Sequence, residues 1–228
     1  MSWEPEAVPQ SEAELQSEPR RPEVVNAAVE RGITSILHFT RARPGLVGIL
    51  DSSAVKARRH LPEDVRLRHV YEENAVDRSR DRRWHGYINL SVTSINVWMF
   101  EASRRWRAEA EWVILDFNPQ ILGDPGVVFC TTNNAYSTAH RHAGLQGFDQ
   151  MFASMVPGYL GRESTRSERE PNQPTDQQAE VLYPSALSLD HLESIIVGDD
   201  ETCDTVEAAL ANFPRHAPNV AIAPEAFK

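Results

Sequence analysis

The chain has 228 residues and a formal net charge of −10, with 41% hydrophobic and 25% charged residues, the make-up of an ordinary globular protein. That length allows one sizeable domain with an appendage, and no stretch approaches the ~18 consecutive apolar residues of a membrane helix. Met1-Ser2-Trp3-Glu4-Pro5-Glu6 lacks the basic and apolar regions of a secretory signal, and Cys130 and Cys203 cannot form a disulfide framework, so a cytoplasmic protein with no membrane partner is expected.

Residues 1–22 are rich in Glu, Pro, Ser and Gln, a composition that cannot bury enough apolar surface to order itself, and a disordered tail is expected. Order is expected from residue 23 onward as one α+β domain, 23–228. Val24 to Val29 reads as a short helix stopped by Gly32. Ile33 to Thr40 reads as a buried strand. Pro44 to Leu50 reads as a helix opened by proline, with Leu46, Ile49 and Leu50 on one face. Residues 56–85 are charged and weakly periodic, as in a loop with helical turns. Gly86 to Val92, Glu111 to Phe117 and Val127 to Thr132 are strand-like, the last two separated by the turn Gly123-Asp124-Pro125-Gly126. Residues 145–156 look helical, and 157–178 form a polar segment without a period, the kind of long loop that is functional or disordered. Strands return at Ala179 to Leu182 and Leu192 to Val197. A helix capped by Thr202 or Asp204 follows, and Val220 to Ile222 forms a last strand. Short strands broken by a few helices, without regular βα alternation, indicate α+β.

The charge is unevenly spread. Residues 1–23 carry −4, residues 199–207 carry −5 and residues 208–228 carry +1, leaving −2 for residues 24–198 and a local excess of +4 at 41–83. The acidity therefore does not exclude a nucleic-acid substrate. The chain has 21 Arg and two Lys; arginine suits bidentate phosphate recognition, though a compositional bias of the genome gives the same ratio.

Three groups of residues can carry chemistry. His38 lies inside an apolar strand whose alternation puts His38 and Thr40 on one face and Leu37 and Phe39 on the other; a satisfied core histidine is the simpler alternative. Gln178 and Glu180 stand two apart at the start of another strand, projecting to one side. One carboxylate beside one amide suits a sugar hydroxyl and an acceptor group; a solvated edge-strand Glu is the alternative. Asp77 to His85 mixes arginine, acid and Trp84, and can grip phosphate and stack a base or pair with itself in solvent. Trp84, Tyr87 and Trp106 are further stacking surfaces. His140-Arg141-His142 lacks a carboxylate or cysteine at ligand spacing, so no metal is expected. There is no Walker loop, GxGxxG, GxSxG or CxxC.

In this order the three groups resemble the DarT-type DNA ADP-ribosyltransferase toxins. The resemblance rests on Ile36-Leu37-His38-Phe39-Thr40 with Leu46 and Gly48-Ile49-Leu50, on Trp112-Val113-Ile114-Leu115, and on Val128-Phe129 with Asn134-Ala135. It continues through Gln178-Ala179-Glu180-Val181-Leu182 and Leu192 to Val197, as far as Phe213-Pro214 and Val220 to Ile222. It implies an ADP-ribosyltransferase-like split β-sandwich that clasps NAD, needs no metal, and modifies thymine or guanine in single-stranded DNA. It further implies an antitoxin that hydrolyses the adduct. By position, Glu180 is the catalytic glutamate. His38, Thr40 and Ser91 bind NAD, Gln178 meets the acceptor, and residues 157–178 form the substrate loop. For the family's catalytic arginine Arg78 is the chosen counterpart, with Arg80 and Arg82 as the alternatives. The chain departs from the family in having Gly45 in place of Asn and Asn89-Leu90-Ser91-Val92 in place of an aromatic-rich strand. An RNA or protein acceptor, or an inactive interaction module on this fold, remains the alternative.

Overall fold

Short apolar runs build a broad sheet. The computed structural model describes residues 18–61, 84–167 and 169–228. Along them run α1 (Pro22–Glu30), β1 (Ile36–Arg41), α2 (Val47–Ser52), β2 (Ala54–Lys56), β3 (Tyr87–Val92) and α3 (Val97–Trp106). β4 (Trp112–Phe117), β5 (Val128–Cys130), β6 (Arg141–Ala143), α4 (Gly144–Met151), β7 (Met155–Pro157) and β8 (Glu163–Thr165) follow. The chain continues through β9 (Glu180–Pro184), β10 (Ala186–Ser188), β11 (Leu192–Val197), α5 (Asp200–Ala211) and β12 (Asn219–Ile222). This is the α+β architecture expected.

Eight strands form one sheet in the order β12-β11-β4-β1-β3-β9-β5-β6. Its continuity is weakest at the middle. β1 pairs with β4 along its whole length, from Ile36↔Phe117 to Arg41↔Trp112, whereas it meets β3 only at Ile36↔Val92 and Leu37↔Ser91. Beyond Leu37 the two strands part, and the sheet splits into halves. Strand alternation then distributes the side chains. Ile36, Val113, Leu115 and Phe117 from one half join Ile88, Leu90, Val181 and Phe129 from the other in the principal core. Leu37, Trp112 and Ile114 face the opposite way and are covered by Phe100 of α3 and by Phe227. A cleft opens where the halves part.

Several expectations change in detail. α1 ends with Gly32 at φ +71°, a conformation glycine adopts without strain. The segment after Thr40 makes a wide turn through Ala42–Leu46, and the α-helix proper begins at Val47. α3 occupies a stretch with no periodic signal. Its buried side is only Phe100 and Ser103, too narrow a stripe to stand out beside two solvent-facing tryptophans. The cap of α5 is Asp199, whose carboxylate accepts from the Thr202 N–H at 2.8 Å; neither Thr202 nor Asp204 is the cap. Residues 157–178 are not an unstructured loop. β7 and β8 pair as a hairpin, and the Arg166 guanidinium donates to the carbonyls of Gln173, Glu170 and Pro171. Thr93 Oγ1, just after β3, donates to the Asn172 carbonyl at 2.7 Å. Of the expected tail, residues 1–17 lie outside the described residues; Arg20 pairs with Asp124 at 2.9 Å, and the Arg21 N–H donates to Gly123 O at 2.7 Å.

Candidate active site

The cleft at the split is lined by Leu37, His38 and Phe39 of β1, Asn89, Leu90 and Ser91 of β3, Asn96 and Met99 of α3, Asn133, and Glu180. Three of the residues singled out from sequence, His38, Ser91 and Glu180, thus meet in one place. Asn89 is what joins them. Its main-chain carbonyl lies 3.1 Å from His38 Nδ1, while its side-chain Nδ2 donates to Glu180 Oε2 at 2.9 Å. A carbonyl only accepts, so Nδ1 carries the hydrogen, and the acceptor of the neutral imidazole is Nε2. The bond can form because β1 has already left β3 at this level.

Glu180 begins β9 and is only 5% exposed. A buried carboxylate must be met by donors, and the loop between β5 and β6 supplies them. Asn134 N–H donates to Oε2 at 2.8 Å, and Asn133 Nδ2 donates to Oε1 at 3.2 Å. The orientation of Asn133 is itself fixed, since its Oδ1 accepts from the Ala135 N–H at 2.9 Å. Arg141 then binds the loop from behind. Its Nε donates to Asn134 Oδ1 at 2.7 Å, and its terminal nitrogens donate to the carbonyls of Ala139, Asn134 and Tyr136. The Arg141 guanidinium also sits 5.8 Å from the Trp84 ring centroid. Asn133 carries no local sequence signal of its role, because an amide in a loop looks like an ordinary turn residue; Asn134 stands in the family resemblance without a role, and Asn89 in β3 and Arg141 in β6 act through contacts that their own strands do not encode. A buried Glu at a strand start was the one usable pointer to them.

The remaining sequence candidates sit elsewhere. Thr40 is buried and packs against Gly45, where a Cβ would collide with its hydroxyl; it is not among the side chains lining the cleft. Gln178 lies in the turn before β9, so strand alternation does not govern it. Its Oε1 accepts from the Tyr136 hydroxyl at 2.8 Å and its N–H donates to Asp176 Oδ1 at 2.7 Å. The loop that orients Glu180 therefore also orients Gln178. Arg78, Arg80 and Arg82 lie outside the described residues. Of the stacking surfaces, Tyr87 is buried and Trp84 packs edge-on against it with centroids 5.2 Å apart, leaving Trp106 exposed. Burial, with Glu18 adding to it, pushes the Tyr87 hydroxyl up to about 12, so it stays a neutral core group. Among the described residues, no group of three or more His, Cys, Asp or Glu is placed to hold a metal ion.

One buried atom points to a ligand. Asn96 is 3% exposed, and its Oδ1 accepts from the Met99 N–H at 3.1 Å to cap α3. Its Nδ2, on the cleft wall, has no partner. A buried amide donor left unpaired is costly, and an acceptor from a bound molecule removes that cost. A hydroxyl- and carboxamide-bearing dinucleotide such as NAD fits this set of Asn96 and Ser91 as donors and His38 Nε2 as acceptor beside a carboxylate.

The chain is similar to known proteins in sequence pattern and in fold. The family model described as "ssDNA thymidine ADP-ribosyltransferase, DarT" matches residues 37–228. In structure the chain is similar to Thermus sp. 2.9 DarT in complex with NAD+, with TM-score 0.59 and 19% identity, covering 86% of this chain and 98% of that one. It is similar to the same protein in complex with ADP-ribosylated ssDNA, with TM-score 0.62 and 20% identity over 86% and 97% of the two chains. Thermosipho africanus DarTG in complex with ADP-ribose gives TM-score 0.54 at 11% identity, over 85% of this chain and 51% of that one. No curated protein sequence matches the chain.

Proposed function

The chain belongs to the DarT family of ssDNA thymidine ADP-ribosyltransferases, and on that footing we propose that the Glu180 cleft transfers ADP-ribose from NAD to thymine in single-stranded DNA. The observation that carries the reading is the buried Glu180 carboxylate, held by three nitrogen donors and facing the same cleft as His38 and Ser91. His38, Ser91 and Asn96 hold the donor, with Thr40 supporting the strand behind His38; Gln178 and residues 157–178 meet the acceptor. Arg78 is the arginine assigned to the donor's phosphates.

Bound NAD supplies an ADP-ribosyl group whose ribose carbon becomes positive as nicotinamide leaves. Glu180 accepts a hydrogen bond from a ribose hydroxyl, an interaction that strengthens as that charge grows and so acts on the transition state more than on the ground state. His38, with its hydrogen on Nδ1, offers Nε2 as acceptor to a second hydroxyl. Glu180 also accepts the proton given up by the attacking base nitrogen. The three donors on the carboxylate keep it aimed without rearrangement during the reaction. A single strand is the fitting acceptor because a paired base must first be extruded.

We take residues 23–228 as the enzymatic domain and residues 1–22 as an acidic tail. No helix among the described residues is long and apolar enough to cross a membrane, and a cytoplasmic setting, where NAD and DNA are both present, goes with this reading. Modification of a cell's own DNA makes the protein a toxin, so a neighbouring antitoxin that hydrolyses the adduct is its expected partner. The direct test is to incubate the protein with NAD and homopolymeric oligonucleotides. Thymine oligomers gain the mass of one ADP-ribosyl group and release nicotinamide; modification of guanine oligomers instead would overturn the base assignment, and modification of RNA or protein alone would overturn the acceptor class.

A further inference from the structure

We propose that the solvent face of α3 is a track for the single strand flanking the reacting base. This deepens the reading above and rests on it. α3 is fixed from below: Phe100 packs edge-on against Phe39 at 5.5 Å and against Trp112 at 5.6 Å, and Ser103 Oγ donates to the Met99 carbonyl at 2.8 Å. On this anchored helix two of the four tryptophans among the described residues stay in solvent, Trp98 at 69% and Trp106 at 44% exposure. Two large rings on the outside of a well-packed helix are not explained by its own folding.

The surroundings favour a polyanion with flat bases. Residues 104–107 read Arg-Arg-Trp-Arg, all exposed. Arg104 is paired with Glu101 at 3.0 Å, the Arg107 guanidinium sits 5.9 Å from the Trp106 ring, and Arg105 has no ion-pair partner among the described residues. Glu109, just past the end of α3, is the other acid of this stretch. The net charge of residues 97–110 is +1 in a chain of −10, and aromatic rings among arginines form a sequence-tolerant stacking platform. Position selects the acceptor strand over another partner. The helix begins at the cleft, where Asn96 and Met99 line the wall, and the exposed Trp98 lies between these two in sequence. Trp106 lies about 12 Å farther along the axis at 1.5 Å per residue, a span of a few nucleotides at about 3.4 Å each. The track gives grip without reading sequence.

The test compares the protein with its Trp98→Ala/Trp106→Ala and Arg105→Glu variants on thymine oligomers of about 4 and about 16 nucleotides, chosen to fall short of and to exceed the site size of a stacking groove. Melting temperature and NAD binding should match the parent, since these side chains lie outside the cleft. For the 16-mer, KM is expected to rise at least about tenfold for two lost stacking contacts, with kcat and all constants for the 4-mer unchanged. Anisotropy of a labelled 16-mer reports binding separately. Weaker binding by the variants, with no modification by any form, sinks the catalytic reading and leaves the track standing. Unchanged KM and anisotropy overturn the track while leaving the catalytic reading intact, and so does an equal effect on both lengths. Loss of self-association with DNA kinetics unchanged overturns it in favour of a protein-binding face.

Discussion

Arg141 touches no cleft atom, yet its side chain bonds to three residues of the loop that presents Asn133 and Asn134 to Glu180. Lysine cannot reproduce this fork. Arg141→Lys should therefore lower kcat by about tenfold, the order expected when one charge-assisted bond to a reacting carboxylate loosens, while the Kd for NAD changes less than about twofold. A matched fall in kcat and in NAD affinity would show that the loop only supports the fold. Asp116 belongs to stability rather than to the cleft. Burial raises its carboxyl above the usual range, Glu193 adds to that, and bonds from Ser35 and Ser194 oppose it; its Oδ1 is buried without a partner. The native state then holds the proton over a pH range in which the unfolded chain has lost it, so stability falls as pH rises through the raised value. Asp116→Asn removes that loss. Its Tm should exceed the parent's by a few degrees at pH 7, with the gap closing near about pH 4. A variant melting below the parent throughout would refute the assignment.

At the level of elements, the α5 cap gives a clean test. Asp199→Ala removes the acceptor for the Thr202 N–H and should cost about 1 kcal/mol, lowering Tm by about 2–4 °C with kcat unchanged. Bonds from Thr202 hold the Asp199 carboxyl below the usual range, so this contribution is present above the unfolded pKa and disappears as pH falls through the native one. The same helix shows where local sequence runs short. Its existence was legible from Val206-Glu207-Ala208-Ala209-Leu210, but Asp199, Thr202 and Asp204 are all residue types that cap a helix, and only the turn geometry chose among them. β4 was legible as a long apolar run buried on both faces, and β1 and β11 as runs rich in β-branched and other apolar residues. β2, β6, β7, β8 and β10 have three residues each, too few for a period to emerge. His38 and Glu180 could be found as polar residues inside apolar strands. The split that brings them together depends on two strands parting after two shared pairs, Ile36↔Val92 and Leu37↔Ser91, a tertiary property that neither strand encodes alone.

For the molecule as a whole, the acidic total is concentrated at residues 1–23 and 199–207, which leaves the body near neutral. Such a protein does not hold DNA by charge at large, and binding rests on a few local arginines. The KM for a thymine 16-mer should rise by about twentyfold between 50 and 200 mM salt, as for about three phosphate contacts on a single strand; a salt-independent KM would remove phosphate contact from the account. The central claim is that Glu180 drives transfer from NAD to a base of single-stranded DNA. Intact-mass measurement of a thymine oligomer incubated with NAD and either the parent or Glu180→Gln tests it most directly. The parent should add one ADP-ribosyl mass, and the variant, binding NAD comparably, should add it at least about 100-fold more slowly. Equal modification by both proteins, or none by the parent under conditions where it binds NAD and the oligomer, would contradict it.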